Sequence, residues 1–208
     1  MYRDIIQLRI FPGTRLIESK IADELGISRT PVNYALRKLS EINLVNKGTG
    51  KVLVVNCMSA EECNRVYEAR IALEGYAAFL AVTNISSEQL VKLNNLATQY
   101  TNICNSDNLD TNAHAKCDQE FHETIIVATR NKYIMQMYDK LESALLHYRY
   151  SLMFVHENKN MKPLLINASK RHQALCNAFN LGFVDVAKNV IEQDIGGMKD
   201  AFRLWNEY

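Results

Sequence analysis

Gly26-Ile27-Ser28-Arg29-Thr30-Pro31-Val32-Asn33-Tyr34-Ala35-Leu36-Arg37-Lys38-Leu39 writes a tight turn, a capped helix start and a cationic helix face in one run. Gly26 supplies the turn after an apolar-periodic segment ending at Leu25, and Ser28 stands where an N-cap is wanted. Pro31 falls in the first helical turn, where amides lack intrahelical partners. The helix is therefore expected to start near Arg29. From there Val32, Ala35, Leu36, Leu39 and Ile42 recur at helical spacing and make a buried face, while Arg29, Thr30, Asn33 and Arg37 share the other. One side packs and the other is free to read the DNA major groove, since Arg pairs bidentately with guanine and Asn with adenine. An ordinary surface helix with a solvated polar side is the alternative, and the flanking sequence weighs against it.

Leu44 to Val55 reads as two short β-branched strands around a Gly-containing turn with Lys47 and Lys51 at its tip. A cationic hairpin beside a recognition helix is a wing that reaches phosphates or the minor groove. Upstream, Ile17, Ile21, Ala22 and Leu25 provide a packing face for the helix before the turn. Charge is divided unevenly. Residues 1–55 hold nine Lys/Arg against five Asp/Glu, net +4, whereas residues 56–208 hold fifteen against eighteen, net −3, in a chain of formal charge +1. A small basic unit joined to a larger, slightly acidic one points to a DNA reader attached to something that does not touch DNA.

These motifs resemble the winged helix-turn-helix of GntR-family bacterial transcription regulators. The likeness rests on Phe11-Pro12-Gly13-Thr14-Arg15-Leu16, on Ile21-Ala22-Asp23-Glu24-Leu25-Gly26-Ile27-Ser28-Arg29-Thr30-Pro31-Val32, and on Ala35-Leu36 with the Gly-containing wing. It implies a winged helix-turn-helix domain over residues 1–55 that binds a double-stranded DNA operator. In two respects the chain departs from the family pattern. The family usually has Arg where this chain has Asn33, which points to adenine at the matching base. Its first helix usually begins about ten residues earlier than Met1, which fits a short first helix or a start codon assigned too late.

At 208 residues and 48% apolar content the chain suits two modest domains or one large one, with enough apolar mass for a core. No window approaches eighteen uninterrupted apolar residues, and the N-terminus lacks a signal peptide's apolar stretch and cleavage site. A cytoplasmic protein with no membrane partner is expected. Cys57, Cys63, Cys104, Cys117 and Cys176 are odd in number and scattered, so they read as core-filling residues rather than as disulfides or thiolate metal ligands.

From Ser59 onward the strand signal disappears and an all-α bundle of about six helices is expected over residues 59–208, after a short linker at 56–58. Ser59 with Glu62 opens a helix to about Thr83, and Ser86 with Gln89 a second to about Cys104. Further helices are expected over 112–129, 132–156, 163–180 and from Val184 onward. Four ionisable residues stand where apolar ones belong. Asp118 and His122 are one turn apart on a face shared with Ile125, His172 lies in the row of Ala168, Leu175, Cys176 and Phe179, and Asp194 in that of Ala187, Val190, Ile191, Met198, Ala201 and Trp205. A buried unpaired carboxylate costs several kcal/mol, on the order of 3–5, so such an Asp must meet a cation or donors. Two carboxylates and two imidazoles suggest a divalent ion, with zinc, nickel, manganese and iron(II) all open. The alternative is structural: hydrogen-bonded core histidines and an Asp194 paired with Arg or Lys across the bundle. His114, His147 and His156 read as surface or rim residues.

Residues 60–205 resemble the FCD effector domain attached to FadR-type members of the same family. Its metal-binding version carries Asp-x-x-x-His, a His early in a later helix and a His on the last helix. Asp118-Gln119-Glu120-Phe121-His122 matches the first element and Arg171-His172-Gln173-Ala174-Leu175 the second, while Asp194 falls where the final His would be. Tyr67-Glu68-Ala69-Arg70, Leu73-Glu74 and Asn131 also fit the pattern and read as structural. Gly196-Gly197 suits a helix poorly and reads as a kink. The resemblance implies a homodimer in which the metal holds the carboxylate of a small organic acid and ligand binding changes the spacing of two winged domains. Arg149 is the candidate for a second contact to that carboxylate, beside an ordinary surface role. Two rival readings remain: a metal-dependent hydrolase with an accessory N-terminal module, and a DNA-binding protein whose helical half is metal-free and only dimerises. No nucleophile motif or phosphate-binding loop supports the former.

Overall fold

The computed structural model describes residues 1–50, 52–56, 59–159 and 162–205, leaving out the side chains of residues 60, 142–143, 149–159 and 200–205. Its N-terminal part is built from α1 (Tyr2–Ile6), β1 (Arg15–Leu16), α2 (Glu18–Leu25), α3 (Arg29–Glu41), β2 (Val45–Lys47) and β3 (Leu53–Val55). The strands form an antiparallel sheet in the order β1-β3-β2, with Leu16 opposite Leu53 and Val45 opposite Val55. β1 was not foreseen, since two residues carry no period; it closes the free edge of the hairpin.

Gly26 ends α2 in the left-handed region at φ 65°, a conformation costly to any residue with a Cβ. Ser28 then stands extended at the N-cap of α3, though its hydroxyl makes no cap bond. Val32, Leu36 and Leu39 from α3 meet Ile5, Ile6, Ala22, Leu44, Val45 and Val55 in one small core. The unit is too small to bury every apolar residue of its helices. Ile17, Leu25 and Ile42, expected on packing faces, are 43%, 60% and 40% exposed.

The remainder is helical: α4 (Ala60–Asn84), α5 (Ser87–Asn105), α6 (Thr111–Ala128), α7 (Lys132–Lys159), α8 (Lys162–Leu181) and α9 (Val184–Trp205). The starts of α4 and α5 fall where the caps predict. Ser59 accepts the Glu62 amide, Ser86 and Gln89 form the reciprocal capping box, and Asp110 accepts the Ala113 amide to start α6. Asn131 accepts the Tyr133 amide and opens α7, as its structural reading implies. Tyr67, Leu93, Tyr100, Phe121, Ile125, Leu145, Leu165, Leu175 and Ile191 are completely or almost completely buried in one core. Four cysteines, Cys63, Cys104, Cys117 and Cys176, are unpaired and buried in it, and burial pushes each thiol up to about 12. Their thiols are therefore neutral packing groups, as expected; Cys57 lies outside the described residues. Among the described residues no helix is long and apolar enough to cross a membrane.

Two histidines read as surface residues are buried instead. His114, 2% exposed, packs its ring 4.7 Å from that of Tyr100 on α5. His147, 3% exposed, lines a cleft of about 170 Å³ between α7 and the segment after α3, beside Asn43 and Leu44. Burial holds the His147 imidazole at about 4, so it is neutral at physiological pH. Periodicity along one helix did not reveal that a neighbouring element covers these positions. The side chain of His156 lies outside the described residues.

Candidate nucleic-acid interface and metal centre

Arg29, Thr30, Asn33 and Arg37 are all exposed on α3. Asn33 and Arg37 share an open groove with Lys47 and Gly50 of the hairpin and with Glu18 at the start of α2. Arg37 lies 3.7 Å from Glu41 and 5.5 Å from the Tyr34 ring centroid, both mostly exposed contacts that a stronger partner displaces easily. Lys51 lies outside the described residues. An element that sequence reading missed is Glu18. Asn33 Nδ2 donates to its Oε2 at 2.9 Å, and this bond uses one amide hydrogen while leaving the other and Oδ1 available. Adenine's N7 and N6 groups require that remaining pair.

The second constellation sits in the bundle core. α6 carries Asp118 and His122 one turn apart, α8 brings His172, and α9 brings Asp194. His122 Nε2 lies 3.8 Å from Asp118 Oδ1 and 3.6 Å from Asp194 Oδ2. His172 Nε2 lies 3.7 Å and 3.4 Å from the same two oxygens. Donors about 2.1 Å from one ion at the tetrahedral angle stand roughly 3.4 Å apart, close to these imidazole–carboxylate separations. Donor atoms of Asp118, His122 and His172 all lie within 4.8 Å of one another, a set that does not include Asp194, which stands beside the two imidazoles.

Orientation is enforced by packing. The His172 ring stacks on Phe121 with centroids 4.0 Å apart and an 11° interplanar angle, and its other face meets Tyr100 at 4.4 Å. His172 Nδ1 is buried without a hydrogen-bond partner, and its Nε2 faces the two carboxylate oxygens at 3.4 and 3.7 Å. An imidazole 0% exposed in that state fits an ion far better than an apolar core. His122 Nδ1 lies 2.6 Å from Glu74 Oε2 on α4, and Glu74 Oε1 accepts from Arg70 Nε at 2.6 Å. A carboxylate on the far nitrogen fixes the tautomer that presents Nε2 to the centre. Burial alone raises the Glu74 carboxyl, but Arg70 and His122 outweigh it and hold it below the usual range. Burial likewise raises Asp194, and His172 and His122 again bring it down, so it is a carboxylate.

Glu74 and Arg70, read as structural, therefore reach the centre through His122. Their signal was present: charged residues in the row of Tyr67, Ala77, Ala78 and Ala81 break the same rule that singled out Asp194. Arg171 was also missed; its Nε donates to Asp194 Oδ1 at 3.1 Å. α9 runs unbroken through Gly196 and Gly197, and a Cβ on Gly197 would stand 2.8 Å from Arg171 Nη2. The side chain of Arg149 lies outside the described residues. The donor set, two imidazoles and two carboxylates without thiolate, suits zinc, nickel, manganese or iron(II).

Comparison with known proteins gives matches to bacterial regulatory proteins of the gntR family over residues 2–55 and to the FCD domain over residues 65–196. An uncharacterised HTH-type transcriptional regulator of Agrobacterium vitis is 35% identical over 127 residues, covering 60% of this chain and 74% of that protein. The regulator McbR of Escherichia coli is 33% identical over 85 residues, 41% of this chain and 38% of its own. The gluconate operon repressor of Bacillus subtilis is 28% identical over 138 residues, 66% and 56% of the two chains. Among solved structures, E. coli McbR/YncC superposes with a TM-score of 0.77 at 18% identity over 98% of this chain and 94% of that one. A Rhodococcus sp. RHA1 GntR regulator gives 0.74 at 18% identity over 97% and 93%. The chain belongs to the GntR family of DNA-binding transcription regulators, carrying that family's winged helix-turn-helix and an FCD domain.

Proposed function

We propose that this protein is a homodimeric, cytoplasmic repressor that binds its operator through α3 and the wing and releases it in response to a small organic acid. Residues 1–55 form the DNA-binding unit, 56–58 the linker and 59–208 the effector and dimerisation unit in this reading. Arg29, Thr30, Asn33 and Arg37 contact base edges or phosphates, with Lys47 and Lys51 adding salt-sensitive affinity. Support comes from the exposure of Arg29, Thr30, Asn33 and Arg37 and from the groove that Asn33 and Arg37 share with Lys47 of the hairpin.

In the bundle, Asp118, His122, His172 and Asp194 hold a divalent ion, and Glu74 orients His122 toward it. The observation that carries this reading is His172, fully buried between two aromatic rings, its Nε2 converging with that of His122 on the same two carboxylate oxygens. A bound ion supplies a cationic centre for the effector's carboxylate, with Arg149 as a second contact. The effector must bind one spacing of the two winged units better than the other, because a ligand of equal affinity for both shifts nothing. The relatives named above are regulators, which favours regulation over hydrolysis.

Two measurements test the two halves. Arg29→Ala is expected to weaken operator binding by about 1–3 kcal/mol, roughly 5- to 150-fold, with the fold intact; unchanged selective binding refutes the α3 assignment. Metal analysis of purified protein is expected to give one ion per chain that is lost in His122→Ala. Stoichiometric metal retained by that variant would exclude these ligands, and metal-free wild type that still responds to effector would favour the purely dimerising bundle.

A further inference from the structure

We infer that Arg171 is a positioning residue that makes Asp194 a usable fourth ligand, and that Gly197 keeps open the space it occupies. The inference rests on the metal reading above. Asp194 is divided between two tasks: Oδ2 faces His172 and His122 at 3.4 and 3.6 Å, while Oδ1 accepts from Arg171 Nε at 3.1 Å. Held by its outer oxygen, the carboxylate cannot turn both oxygens inward, which leaves one donor aimed at the centre. Partners behind a ligand commonly set its orientation in this way.

Charge gives the same answer. Asp118, Asp194 and Glu74 are formally −3 against +2 from Arg70 and Arg171, so the cluster carries −1. A cluster with imidazole at 194 and no Arg171 cation would carry the same −1. Arg171 thus cancels the charge that an Asp adds where the family pattern has His. Arg171 adjoins His172, so α8 delivers an imidazole to the centre and, from the next residue, a cation against α9. Gly197 lies three residues after Asp194, on the same side of α9. Its absent Cβ admits the guanidinium: an Ala there would place a carbon 2.8 Å from Nη2 and 3.1 Å from Cζ.

The test is zinc affinity, measured on the full chain by competition with a chromogenic chelator after stripping and reloading. Arg171→Ala is expected to weaken zinc binding about 10- to 100-fold. Gly197→Ala should weaken it in the same direction while thermal stability holds or rises, because Ala suits a helix better than Gly and displaces only the end of a flexible side chain. In an Asp194→His background, adding Arg171→Ala should change affinity less than about 2-fold, because the two residues act as one unit. Equal losses in both backgrounds, or no loss in the wild type, overturn the inference. Zinc binding that disappears in His122→Ala but ignores Arg171→Ala overturns this inference alone. Wild-type protein that binds no zinc, nickel, manganese or iron(II) overturns the metal reading and this inference with it.

Discussion

On α3 the groups Arg29, Asn33 and Arg37 stand in solvent, whereas in the bundle each carboxylate of Asp118 and Asp194 lies within 3.8 Å of a buried imidazole. Solvent screens the first set, so its ties, Asn33 to Glu18 and Arg37 to Glu41 and Tyr34, are weak surface contacts that a partner can replace. Burial couples the second set. Glu74 needs Arg70, His122 needs Glu74 to fix its tautomer, and Asp194 needs a cation on its outer oxygen. A recognition face is therefore free to change what it reads, while a buried centre changes only by compensated steps.

The sharpest way to break this contrast is to remove one member of each set. Glu74→Leu leaves Arg70 buried without its partner and is expected to cost about 3–5 kcal/mol in urea unfolding. Arg29→Ala should lie within about 0.5 kcal/mol of wild type in the same assay. Similar small costs at both positions would mean that the bundle's charges are not coupled as described.

A second test uses pH. His147 is held at about 4 by burial, against roughly 6.5 in an unfolded chain. Above pH 6.5 both states are neutral there and the group costs nothing. Between about pH 6.5 and 4 the unfolded chain takes up the proton first, so stability falls by about 3 kcal/mol and then levels off. Comparing urea unfolding of wild type and His147→Leu at pH 7.5 and 4.5 checks this. The variant should lose that part of the acid dependence, whereas identical slopes would place His147 in water.

Legibility in the sequence follows the same division. Helix ends were readable because Ser59, Ser86 and Pro163 act locally, and the α3 face was readable because exposure and spacing coincide. Asp118, His122, His172 and Asp194 stood out because charge in an apolar row violates a strong rule; the structure clusters the first three and sets Asp194 beside the two histidines. Residues that act across space were not readable. Arg70 and Glu74, four apart, look like a surface helix pair until α6 lays His122 against them. Arg171 gives no local sign of its partner 23 positions on. His114 and His147 looked like rim residues because their covers come from other elements. Ile17, Leu25 and Ile42 erred the other way, since a helical stripe does not say how deep the core beneath it is.

The smallest effect belongs to the wing. Lys47→Ala should weaken binding to all duplexes about equally and lower the salt slope by about one unit. A change confined to one sequence would move Lys47 from phosphate contact to base reading.

The most direct test of the central claim is selection of bound duplexes from a random pool with wild type and with Asn33→Arg. The account predicts an enriched two-fold motif in which the variant changes one base per half-site, from adenine toward guanine, and leaves the rest alone. No enriched motif, or an identical motif for both proteins, would contradict the assignment of α3 as the reading face.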